Sequence, residues 1–172
     1  MAPYPYSRAV ADDLRTLRYV YRLATNALDG EFPGPRMPRR EWEKWDHADQ
    51  VLLEAINEQL NRIVDGAVFI AFQSKRLGLR MSETRLHRKE ILVQFENHFR
   101  TDVTQLPGWQ AVLDVTHDAN ASKHRAGLHW TEAGNGMARL LGTVQMERET
   151  ITRRFTQVGK WLRAFGSIHN LP

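Results

Sequence analysis

With 172 residues, 42% of them hydrophobic and including five Trp and seven Phe, the chain carries enough apolar material for one domain with a sizeable core. It contains no cysteine, which excludes a disulfide framework, a thiolate metal site and a cysteine nucleophile. Twenty-four Lys and Arg against 20 acidic residues give a net charge of +4, an excess that permits a polyanionic partner without requiring one.

The opening Met-Ala-Pro-Tyr-Pro-Tyr reaches Arg8, Asp12 and Asp13 without an apolar run. The expectation is therefore no signal peptide, no membrane span and a cytoplasmic location. Val10, Leu14, Leu17, Tyr21, Ala24 and Leu28 then alternate spacings of three and four, which predicts an amphipathic helix over 9–28 ended by Asp29-Gly30. Pro33, Gly34, Pro35 and Pro38 keep 31–40 out of a helix, so Arg36, Arg39 and Arg40 are expected in an exposed loop. From Glu41 to Leu77, the positions Leu52, Ile56, Leu60, Ile63, Ala67, Ile70 and Leu77 keep the helical repeat with Gly66 as the one breaker. One Gly costs about 1 kcal/mol, too little to end a packed helix, so a single helix of roughly 35 residues and about 50 Å is predicted.

Ser82 and Glu83 read as an N-cap and a first-turn acid, opening a helix to Arg100 that buries Leu86, Ile91, Leu92, Phe95 and Phe99. Pro107-Gly108 punctuates before a fourth helix from Trp109, which Gly127 should close. His129-Trp130 and Gly134-Asn-Gly136 form the next connection. The last helix is predicted from Met137, Leu141, Val144, Arg148, Ile151, Phe155, Val158, Leu162 and Phe165. No strand signal, internal repeat or low-complexity tract stands out. The fold expected is all-α: one five-helix bundle of long antiparallel helices spanning 1–172, with 1–8 and 166–172 as loosely ordered tails.

The candidate site lies on the fourth helix. At about 100° per residue, Trp109, Val112, Leu113, Thr116 and Ala119 share an arc that includes Asn120, which predicts an amide pointing at the core. His124 follows one turn on, flanked by Lys123 and Arg125, with His117 nearby. An amide, an imidazole and two cations on one turn suit phosphodiester chemistry without a metal: His moves a proton near neutral pH and a cation stabilises charge on the phosphate. The structural alternative is that Asn120 and His124 hydrogen-bond neighbouring helices and fix their register.

The string Asp118-Ala-Asn120-Ala-Ser-Lys123-His124-Arg125 resembles the motif helix of HEPN domains, helical bundles that include many toxin and phage-defence ribonucleases. Their pattern is an Arg, commonly followed by a polar residue such as Asn, then His after four to six intervening residues. Asn120 and His124 match the polar position and the histidine, while 117–119, where the Arg would lie, hold His, Asp and Ala. The resemblance covers this motif and the general architecture. It implies RNA or nucleotide binding, a metal-independent endoribonuclease without a cofactor, and a homodimer; members lacking the Arg are commonly non-catalytic binding or antitoxin-like partners.

Arg148, on an apolar seam, must be paired, reach solvent or face a cavity. One expectation has it reach Asn120 and His124 and supply the missing cation; the other has it pair with Asp114 or Asp118. Trp42 and Trp45 beside Arg36, Arg39, Arg40 and Lys44 form a candidate nucleic-acid patch, or else anchor the start of a helix. Asp114 and His117 have a metal-pair spacing but no companion pair, so no metal is expected. No phosphate-binding Gly-rich loop, Gly-x-Ser-x-Gly or His-Glu-x-x-His motif occurs. Two functional readings follow: an RNA-acting HEPN-like domain, or a non-enzymatic bundle that assembles with itself or a protein partner.

Overall fold

A computed structural model describes residues 6–32, 34, 36, 38–75, 88–124, 128–132, 138–143 and 146–168, with side chains described outside 122–145. Among these residues the chain is a bundle of five helices: α1 (Tyr6–Gly30), α2 (Arg39–Ser74), α3 (Arg88–Phe99), α4 (Trp109–His124) and α5 (Arg148–Ile168). No described helix is long and apolar enough to cross a membrane.

Helix α1 buries Val10, Leu17 and Tyr21 of the expected stripe, leaves its Leu14, Ala24 and Leu28 half-buried, and adds Tyr6 and Thr25. Helix α2 runs unbroken for 36 residues through an exposed Gly66. Its buried face is displaced from the expected one. Leu52, Ile63 and Ile70 are half-buried, and the centre is Leu53, Leu60, Val64 and Val68 with Asn57 and Asn61 among them. An aromatic cluster joins α3 to α5: Phe95 meets Phe165 edge-on at 5.2 Å, and Phe165 stacks on Trp161 at 4.9 Å. All three rings are fully buried, each contributing about 1.5–3 kcal/mol by leaving water. Before α4, a single 3-10 turn at Val103–Gln105 is capped by Asp102, which accepts from the Thr104 amide at 2.8 Å. The turn presents the Val103 carbonyl to the Trp161 indole N–H, at 3.2 Å, so the buried ring keeps a partner.

The contacts fix helix direction. Arg148 meets Asp49 and Arg154 meets Asn57, so α5 runs parallel to α2. Arg88 reaches Asn61 and Asp65 while the Lys75 ammonium lies over Phe99, so α3 also runs with α2. Helices α1 and α4 run the other way: Tyr6 bonds to the Leu162 carbonyl and Tyr21 to that of Arg148, and Trp109 packs on Trp161 while Asp118 meets Arg154. The consecutive pair α2 and α3 thus departs from strict antiparallel alternation.

Three further expectations are corrected. The last helix begins at Arg148 rather than Met137, because 138–143 forms a strand, β2 (Ala138–Thr143), paired antiparallel with β1 (Leu128–Glu132). Its Leu141 fits the helical repeat only by coincidence of spacing; Gly142 and Thr143 disfavour a helix, and Leu141 falls at a register shift of the pair, between His129 opposite Gly142 and Trp130 opposite Leu140. Second, the expected tails are partly ordered: 6–8 open α1 and 166–168 close α5. The Tyr6 ring packs against Gly166, where a Cβ would come within 2.6 Å of it. Third, Arg39 and Arg40 belong to the first turn of α2, since Pro38 is tolerated at a helix entry and only Arg36 stays in the connection. The expected cap at Ser82, with Leu86, and the closing Gly127 lie outside the described residues.

Candidate functional site

Helix α4 is rotated by about 90° from its expected orientation. Val112, Val115 and Ala119 are buried, whereas Leu113 and Asn120 are exposed, so the Asn120 amide faces solvent and not the core. Polar contacts on both flanks hold this rotation. On one side the Thr116 hydroxyl lies 3.2 Å from Asn61 Oδ1 and accepts from Arg88 Nη1 at 2.8 Å; Arg88 also bonds to Asn61 at 2.6 Å and Asp65 at 2.6 Å. On the other, Arg154 of α5 donates to Asp118 at 2.5 Å and to Asn57 at 2.9 Å, while the Asn57 amide donates to the Val115 carbonyl at 3.2 Å. Apolar spacing alone favoured the arc through Trp109 and Leu113. Four satisfied buried polar groups outweigh the exposure of one Leu.

The outward face of α4 is a stripe. Gln110, Leu113, His117 and Asn120 are all exposed at spacings of three, four and three, and the backbone of His124 continues it four residues on. The side chains of Lys123 and His124, and all of Arg125, lie outside the described residues. Beside this stripe, between α4 and α5, is a cavity of about 300 Å³ lined by Gln110, Leu113, Asp114, His117, Asp118 and Arg154. Gln110 donates to Asp114 at 2.8 Å across its rim. A larger hollow of about 400 Å³ between α3 and α4 is walled mainly by apolar residues such as Leu92, Trp109 and Val112, with Arg88, Lys89 and Glu96 also in its lining and no histidine. Among the described residues no three or more His, Asp or Glu are grouped to hold a metal ion, Asp114 and His117 included.

Arg148 pairs neither with Asp114 nor with Asp118. Its Nε donates to Asp49 at 2.9 Å, its Nη1 donates to Asp29 at 2.6 Å, and its guanidinium lies 5.5 Å from the Trp45 ring centre. Its hydrogen bond to the Asp49 carboxylate raises its pKa further above the ordinary arginine value, so it stays a cation. The axial level of Arg148 is nevertheless that of the motif. Asp118 and Arg154 bond across antiparallel helices, His124 is six residues further along α4 and Arg148 six residues back along α5. Both are therefore displaced about 9 Å toward the same end of the bundle.

The start of α2 shares that end, because Asp49 meets Arg148 there. Trp45 anchors it: the indole donates to the Leu28 carbonyl at 2.9 Å and packs edge-on against Phe32 at 5.0 Å. Trp42, by contrast, is 47% exposed, with Arg36 and Arg40 also exposed and Arg39 paired to Glu43 at 2.8 Å. Candidates far apart in sequence, namely Asn120 and His124, Arg148, and the Arg36–Trp42 segment, thus share one end of the fold. Sequence reasoning missed Arg154, Arg88, Asn57 and Asn61, and offered Asp118 to Arg148 and not to Arg154. The available signal was positional: Asn57 and Asn61 directly follow the seam residues Ile56 and Leu60, and Arg154 directly precedes Phe155.

Comparison with protein-family models, curated proteins and solved structures gives no match for this chain.

Proposed function

We propose that the chain is a HEPN-like bundle that binds RNA along the outer stripe of α4 and cleaves it without a metal. The observation that carries this reading is the exposure of Asn120, which opens the motif face to a ligand instead of sealing it under a neighbouring helix. In the proposed reaction His124 takes the proton of a ribose 2′-hydroxyl, whose oxygen attacks the adjacent phosphorus. The 5′-oxygen leaves with a proton delivered by water, a 2′,3′-cyclic phosphate remains, and His124 returns its proton to solvent. Lys123 supplies positive charge for the phosphorane, because Arg148 is already neutralised by Asp29 and Asp49. Arg125, Arg36, Arg39, Arg40 and Trp42 extend the contact to flanking nucleotides. Incubation with mixed RNA in EDTA tests this: wild type should cleave, and His124→Ala should be slower by at least about a hundredfold. Equal rates for the two, or neither binding nor cleavage by wild type, would reject the reading.

A second reading, a non-enzymatic bundle that assembles with its own kind, draws on α1. Tyr19, Val20 and Leu23 are 54%, 47% and 50% exposed on one face, a patch suited to a two-fold partner. Light scattering at tens of micromolar should then give twice the 19.9 kDa chain mass, reduced to a single chain by Val20→Glu. A 20 kDa species for wild type would end the proposal of a homodimer.

A further inference from the structure

We infer that the cavity between α4 and α5 is a subsite for one unstacked guanine of single-stranded RNA, an inference that rests on the RNA-binding reading. Its place suits that role. His117, on its rim, lies two helical turns from His124 along the same stripe, about 10 Å at 1.5 Å per residue. A strand whose phosphate sits at His124 therefore carries a neighbouring base to the opening. The volume of about 300 Å³ admits a single base and excludes a duplex.

The lining chooses among bases. Asp114 and Asp118 are carboxylates, which accept hydrogen bonds and donate none. Asp118 is bound by the Arg154 guanidinium, which is itself 9% exposed, so its charge is met from inside the fold. Asp114, held by Gln110, is left as the acceptor facing an incoming edge. Guanine presents two adjacent donors, N1–H and the N2 amino group, that match the two oxygens of one carboxylate. Uracil sets its one N–H between two carbonyl oxygens, which a carboxylate repels. Adenine and cytosine each place an acceptor nitrogen beside their single amino donor. Unstacked bases are read on these edges while aromatic or apolar groups cover their faces, and His117 and Leu113 supply an imidazole and an aliphatic wall.

The test uses 2′-O-methyl RNA nonamers, which lack the attacking hydroxyl, with binding read by fluorescence anisotropy. An all-A strand with one central G should bind about tenfold tighter than all-A, all-C or all-U strands. Central inosine, which lacks the N2 amino group, should lose most of that gain. Asp114→Asn should abolish the preference while leaving affinity for the all-A strand within about twofold and the circular dichroism unchanged. Equal affinity for all strands would overturn the guanine site and leave the RNA reading standing, as would a preference that survives in Asp114→Asn or with inosine. No binding of any strand by wild type would reject both.

Discussion

Arg154→Met is expected to lower the stability of the fold by about 3–5 kcal/mol, the cost of removing one partner from a buried ion pair. Arg154 is 9% exposed and both of its contacts are inside the bundle, with Asp118 at 2.5 Å and Asn57 at 2.9 Å. The methionine fills much of the arginine volume, so loss of packing contributes little. The cost arises because a carboxylate and an amide oxygen on buried residues lose the Arg154 donor. Replacing both partners, Arg154→Met with Asp118→Leu, should recover much of the loss, since no buried charge is then left unpaired. Urea denaturation measures this, and a single variant within 1 kcal/mol of wild type would show that the pair is solvated and does not hold α4 to α5.

Gly108→Ala should cost about 2–6 kcal/mol for two separate reasons. Its φ of +93° is one that side-chain-bearing residues rarely adopt, worth roughly 1–3 kcal/mol of strain. A Cβ would also overlap the Gln157 carbonyl oxygen, with the carbonyl carbon at 2.9 Å and the Trp161 nitrogen at 3.2 Å. Those neighbours are helix backbone and cannot rotate away, so the start of α4 would be pushed off α5 at a further cost of about 1–3 kcal/mol. A fall of about 10 °C in Tm is the expected readout for a chain of this size. An unchanged Tm would mean that the Pro107-Gly108 turn does not approach α5 so closely.

The two variants bracket what reading the residues in order could reach. Pro107-Gly108 is visible as punctuation, because proline and glycine carry their backbone restrictions with them. That the glycine is required by the carbonyl of Gln157, 49 positions away, is visible only after folding. The motif on α4 behaves likewise. Asn120 and His124 can be singled out from spacing, yet the face they occupy cannot, because the apolar arc of α4 is short and interrupted by Thr116, Asp118 and Asn120. Two arcs compete closely on such a helix, and Arg88 and Arg154, arriving from α3 and α5, decide between them.

Reading the residues in order is enough for the helical class, the 36-residue continuity of α2 and most of the buried stripes of α1 and of α5 from Ile151 onward. These follow from local periodicity, and each helix repeats its message over several turns, so one Gly or one polar residue does not erase it. Tertiary structure alone decided that 138–143 pairs as a strand, that Arg148 belongs to Asp29 and Asp49, and that Asn57, Asp118 and Arg154 form a buried polar junction. Each of these depends on one or two long-range contacts between groups with several acceptable partners. A polar side chain states that it needs a partner when buried, and only the packing of the helices says which one it finds.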